Sequence, residues 1–150
     1  MKARLLTVLV VGLFVAADNP KKDDTKVKSD LDALQGSWQC VAGENDGTPA
    51  AADTVKTYQL TVKENKYTIM VMGKEIEQGT LKLDSTKKPK TIDVDIASGQ
   101  DKGKAQHGIY ELDKDTFKVC FAPPEKDRPK ELTTKKGSMN LAFSFTRAKK

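Results

Sequence analysis

The sequence predicts an all-β chain: a small up-and-down antiparallel β-barrel of about eight strands, preceded by a short N-terminal helical turn. Three observations carry that expectation. Apolar residues recur at every second position in a series of short segments, which is the period of a half-buried strand. Turn-forming residues separate those segments at close spacing. Almost none of the chain repeats at the helical period, and the consecutive short turns favour a meander over a Greek key, which needs longer crossings.

The elements follow in order. Residues 1–17 are expected to be a secretory signal: Lys2 and Arg4 form a basic start, residues 5–15 are an apolar run, and Val15-Ala16-Ala17 precede polar Asp18-Asn19-Pro20. An apolar run of that length is too short to anchor the chain, since a spanning helix needs about 20 residues. Residues 18–29 are polar and rich in Lys and Asp, and are expected to be a flexible linker before a barrel domain over residues 30–150. Residues 29–34 look like one helical turn capped by Ser29 or Asp30, with Gly36 ending it.

Alternation then sets in over residues 36–42, with Trp38 and Cys40 on one face, and Asn45-Asp46-Gly47 marks a turn. Tyr58, Leu60 and Val62 alternate with polar residues, and so do Tyr67, Ile69 and Val71 after the Glu64-Asn65 turn. Met72-Gly73-Lys74 turns again into residues 76–83. Ile92, Val94 and Ile96 form the next strand, followed by 106–112, 116–121 and the closing Leu141, Phe143, Phe145 and Arg147. Residues 122–137 are a long connection rich in Pro and Lys. One conflict stands out: Glu75, Glu77, Gly79, Leu81 and Leu83 share a parity, so an unbroken strand would bury both glutamates with both leucines. A bulge near Gly79 is expected to resolve this and leave the glutamates facing water at an edge.

Composition narrows the function. The 26 basic and 21 acidic residues give +5, of which Lys2 and Arg4 contribute two, and both signs interleave along the chain. That is an ordinary soluble surface, without the clustered bases and stacking aromatics of a nucleic-acid binder. No membrane span is expected after the leader. His107 is the only histidine, so a triad or a histidine-rich zinc site lacks partners, and Glu111 on the same strand face is roughly 13 Å away. Asp93-x-Asp95 starts like a calcium loop but Ser98 stands where the glycine belongs, and residues 99–104 are one residue short of a phosphate loop. No cofactor and no metal is expected. If exported, Cys40 and Cys120 lie in a disulfide-permissive compartment, yet alternation puts Cys40 on the face of Trp38 and Cys120 opposite Phe117, Val119 and Phe121. Two unpaired cysteines are the expectation.

Gly36-Ser37-Trp38 after a helical turn resembles the first signature of the lipocalins, and Arg147 resembles the distal arginine that packs across that tryptophan and closes one end of the barrel. A cation over an indole face and a plug at one end are favourable on physical grounds as well. Residues 34–38, Lys87-Lys88-Pro89-Lys90-Thr91-Ile92-Asp93, 108–112, Cys120-Phe121-Ala122-Pro123-Pro124 and Arg128-Pro129 are similar to a lipocalin-like domain recurrent in planctomycete proteins. That family has no assigned activity, so the resemblance implies fold and export, to periplasm or medium, rather than chemistry.

The inward set is Tyr58, Leu60, Val62, Tyr67, Ile69, Val71, Ile92, Val94, Ile96, Tyr110, Leu112, Phe143 and Phe145. Of these, Tyr58, Leu60, Tyr67, Ile69, Val94, Tyr110 and Phe143 are the candidate ligand-binding residues, with tyrosines at strand entries offering hydrogen bonds. Such a barrel is just wide enough either to be filled by side chains or to hold one small ligand. Non-catalytic binding of a small apolar or amphipathic molecule is the leading expectation. The alternative is a filled barrel acting as a structural or protein-interaction domain with a cell-envelope component, through residues 122–137. An enzyme built on Glu75, Glu77 or His107 is not expected, for want of a nucleophile paired with a base.

Overall fold

The computed structural model describes residues 30–149; the leader and linker expected over residues 1–29 lie outside the described residues. Residues 30–34 form α1, a single helical turn. The chain continues through β1 (Gly36–Asn45), β2 (Thr48–Pro49), α2 (Ala52–Val55), β3 (Tyr58–Lys63), β4 (Lys66–Val71) and β5 (Lys74–Asp84). After these come β6 (Lys90–Ser98), β7 (Ala105–Leu112), β8 (Thr116–Phe121) and β9 (Leu141–Arg147). From β3 to β9 each strand pairs antiparallel with the next, β1 pairs with β3, and the additional β1–β9 pairing closes the sheet. Eight strands thus make a closed antiparallel barrel, with β2 a two-residue spur on the end of β1. Closure leaves no unpaired edge.

The tight turns are built as the sequence implies. Asp46 and Gly47 both take positive φ, 50° and 80°, between the paired residues Asn45 and Thr48. Met72 and Gly73 do the same at 52° and 76° between Val71 and Lys74. Positive φ at both central residues matches the right-handed twist of the flanking strands. The elements that sequence periodicity does not reach are β2 and α2, each too short to show a repeat.

The inward residues form one core that includes Trp38, Leu60, Val62, Tyr67, Ile92, Val94, Ile96, Tyr110 and Phe145, with Tyr58, Ile69, Leu112 and Phe143 partly buried against it. Of the expected inward set, Val71 alone does not belong to that cluster. A smaller cluster of Ile109, Cys120 and Ala142 lies on the opposite face of the sheet, covered by Leu132 from the long β8–β9 connection. Cys40 is therefore in the main core and Cys120 outside the barrel wall; both are buried free thiols.

The β5 register differs from the expected one. The strand does contain an irregularity, but it sits at Ile76, where Ile69 pairs with Glu77 and Met70 with Glu75. The shift beside Gly79 belongs to β6, which carries the extra residue Ala97 between the pairs Gln78–Ser98 and Gly79–Ile96. The Ile76 bulge turns Glu75 outward and exposed, as expected. Glu77, on its other side, stays in phase with Leu81 and Leu83 and faces the interior.

Candidate functional site

One end of the barrel is sealed by α1. Leu34 is fully buried, and the Trp38 indole N–H donates to the Leu34 carbonyl at 2.9 Å. The Arg147 guanidinium lies 4.2 Å from the Trp38 ring centroid and donates to the carbonyls of Gln35, Ala33 and Lys114 at 2.9, 2.8 and 3.2 Å. A planar, always-charged fork over an aromatic face suits that position better than a flexible ammonium. Gln35 joins the plug to the β3–β4 turn: its amide donates to the Glu64 carbonyl at 2.8 Å, and its side-chain oxygen accepts from the Glu64 N–H at 2.6 Å. Of the two expected caps, Ser29 lies outside the described residues, and the Asp30 carboxylate accepts from the Tyr110 hydroxyl at 2.7 Å and from Lys90 Nζ at 2.9 Å.

The other end is open. Between the plug and the β6–β7 loop lies a cavity of about 380 Å³. Its apolar walls include Tyr58, Leu60, Tyr67, Ile69, Val94 and Phe143, so the fold gathers six of the seven expected residues on one surface. Tyr110 does not belong to the cavity. It is only 1 % exposed and packs beside Phe117 at the sealed end, where its hydroxyl holds Asp30. Strand alternation assigns a residue to a face but not to a depth along the barrel, and Tyr110 sits opposite Lys90 at the plugged end of β6. Leu34, Leu81, Phe117, Phe121 and Leu141 are among the other apolar residues of the lining.

The polar part of the lining is Glu77, Gln100, Asp101 and Gln106. The Tyr67 hydroxyl donates to Glu77 Oε1 at 2.8 Å. Gly79 makes this contact feasible. It is the register partner of Tyr67, and a Cβ there would stand 2.9 Å from Tyr67 Cε1 and 2.1 Å from the Asp95 carbonyl oxygen. The tyrosine ring thus occupies the space a side chain would fill and reaches along β5 to Glu77. From the outer side the loop backs the same bulge: Gly99, at φ +107°, lies so close to the Ile76 carbonyl that a Cβ would be 2.6 Å from it. Burial pushes the Glu77 carboxyl above its ordinary range; the hydrogen bond from Tyr67 pulls it back in part, and the charge of Asp101 pushes it further up. Burial, reinforced by Glu77, holds the proton on Tyr67 far above the usual phenol range, so Tyr67 is a permanent donor. Asp101 is ion-paired to Lys104 at 2.8 Å. No Lys or Arg of the described residues lines the cavity.

The sequence expectation placed Glu77 at a water-facing edge; its shared parity with Leu81 and Leu83 was visible, but the bulge expected near Gly79 lies at Ile76 instead and leaves that parity intact. Gln100, Asp101 and Gln106 carried no signal of their own, because a loop and a strand end show no periodicity.

His107 does find a partner, on the outside of the barrel. It sits opposite Asp93 in the β6–β7 ladder, with Nδ1 2.7 Å from Asp93 Oδ1. Arg128 of the long connection donates to the same oxygen at 2.7 Å and to the Gly108 and Ile92 carbonyls at 2.7 and 3.1 Å. Burial alone would raise the Asp93 carboxyl, but the hydrogen bonds from His107 and Arg128 outweigh it and hold it low. With its carboxylate shared and Arg128 spent on backbone carbonyls, this cluster straps the connection to the sheet. A second depression, about 690 Å³, lies outside the sealed end, where Lys87, Lys88, Lys90 and Lys118 alternate with Glu111 and Asp113. Among the described residues no group of three or more His, Cys, Asp or Glu is placed to hold a metal ion, and no helix is long and apolar enough to cross a membrane. No family model matches this chain, and neither curated proteins nor solved structures give a match.

Proposed function

We propose that this protein is an exported lipocalin-like barrel that binds a small amphipathic molecule without chemical turnover. The observation that carries this reading is the cavity itself: about 380 Å³ of space, apolar at the plugged end, with a hydrogen-bonded Tyr67–Glu77 pair in its wall. Ligand sites are mostly apolar concavities of about 300–1,000 Å³ with a few placed polar groups, and this one falls at the small end of that range. A barrel meant to be filled would need larger side chains here. Export rests on the leader pattern of residues 1–17, and membership of the lipocalin-like family on the residues around Trp38 and Arg147.

Uptake of an environment-sensitive apolar fluorophore by the purified protein tests the reading. The expected result is saturable, one-to-one enhancement that Ile69→Trp, which fills the cavity, abolishes while the fold is retained. Enhancement that survives Ile69→Trp, or none in the unsubstituted protein, contradicts it and favours a domain that acts through its surface, with the 122–137 connection as the contact region.

A further inference from the structure

Resting on the reading of the cavity as a ligand site, we infer that it selects molecules whose head is a cationic amine on an apolar body. Charge is unevenly distributed over the molecule. The chain has five more basic than acidic residues, yet the cavity lining holds two carboxylates, two amides and no Lys or Arg. Basic side chains gather instead around the depression outside the sealed end.

The two carboxylates are not equivalent. Asp101 stands on the β6–β7 loop with Lys104 already against it, so its charge is largely matched. Glu77 has no ion-pair partner among the described residues and accepts one hydrogen bond, from Tyr67 on Oε1. Half-buried and facing the cavity, it is an acceptor with capacity to spare. An apolar body entering from the open end fills the space toward Leu34 and Phe117 and leaves its head near Glu77. There an ammonium gains a charge-assisted hydrogen bond and supplies the missing counter-charge. A carboxylate head would sit beside a like charge, with Tyr67 already committed, and juxtaposed like charges oppose binding. The upward push of burial on the Glu77 carboxyl fits the same picture, since a bound cation relieves the cost of ionising it.

Three probes of one chain length separate this from the underlying reading: decylammonium, decanoate and decanol, each titrated into the full-length purified protein below micelle-forming concentrations. The expected result is that decylammonium binds about tenfold or more tighter than decanoate. Glu77→Gln should bring that ratio close to one, while Glu75→Gln, which alters an exposed carboxylate on the other side of the bulge, leaves it unchanged. Decanoate binding as tightly as decylammonium, or a ratio that survives Glu77→Gln, overturns the inference and leaves the cavity a ligand site of another preference. Binding of none of the three overturns the ligand-site reading and the inference with it. The comparison of probes on the unsubstituted protein decides the matter even if Glu77→Gln does not fold.

Discussion

The hydroxyl of Tyr67 on β4 donates to Glu77 on β5 across 2.8 Å, although the register partner of Tyr67 is Gly79, two residues further along. The ring lies diagonally over a position that has no side chain. A carboxylate would ordinarily be excluded from such a wall. Here it is held by a donor that keeps its proton throughout the physiological range.

Gly79→Ala should therefore disturb both stability and the site. Its Cβ would lie 2.1 Å from the Asp95 carbonyl oxygen, which is backbone and cannot swing away. Overpacking of this kind costs about 1–3 kcal/mol. Chemical denaturation should show that loss, accompanied by weaker probe binding as the Tyr67 ring is displaced. Unchanged stability would contradict the packing described here.

Glu77→Gln should stabilise the ligand-free protein at neutral pH. The folded barrel holds the Glu77 proton more tightly than the unfolded chain does, because its carboxyl is raised from 4.5. The native state then binds more protons than the unfolded state as pH rises from the unfolded value toward the folded one, so stability falls across that window. The groups facing Glu77 are Tyr67 from β4 and Asp101, itself paired with Lys104, from the loop. All three remain in the variant. Thermal midpoints of the two proteins should converge below about pH 4, where both side chains are neutral, and diverge in favour of the variant above it. A constant difference across pH would show that Glu77 is not the titrating group.

Arg147→Ala should open the sealed end. It removes a stacked cation and donors to three carbonyls, of which those of Gln35 and Ala33 belong to the plug. Charge-assisted hydrogen bonds and a cation–π contact at a partly exposed site together are worth roughly 2–3 kcal/mol. Arg147→Lys should recover little of this, since an ammonium cannot serve several carbonyls while lying flat on the indole. Trp38 is the only tryptophan, so its emission reports directly: a red shift is expected in the alanine variant. Emission and stability both unchanged would contradict the closure role.

The thiols should be silent in the native state. Burial pushes Cys120 up to about 11 and also raises Cys40, and the thiolate is the reactive form. A thiol reagent should find no reactive group in the folded protein and two in denaturant. Failure to find two after unfolding without reductant would indicate a disulfide, which the placement of Cys40 inside and Cys120 outside the barrel wall opposes.

The strand pattern was legible because period-two alternation is a property of short local stretches, and Trp38 with Arg147 was legible through the resemblance to the lipocalin signature, with which a cation over an indole face is physically consistent. Depth and bulge position were not. Tyr110 and Tyr67 look alike in sequence, yet one ends at the plug and the other in the cavity wall, since depth is set by how the strands stagger around the barrel. The bulge was anticipated beside Gly79, but in β5 the extra residue is Ile76, an ordinary β-former. That displacement of three positions decides that Glu77 faces inward. The glycine has a different task, making room for Tyr67.

The central claim, that the barrel interior is a ligand site, is tested most directly by native mass spectrometry of gently purified protein, repeated under denaturing conditions. The expected result is a small additional mass in the native spectrum that disappears on denaturation, and that is absent from Ile69→Trp. A bare polypeptide mass in every sample, unchanged after incubation with decylammonium, decanoate or decanol, would contradict it.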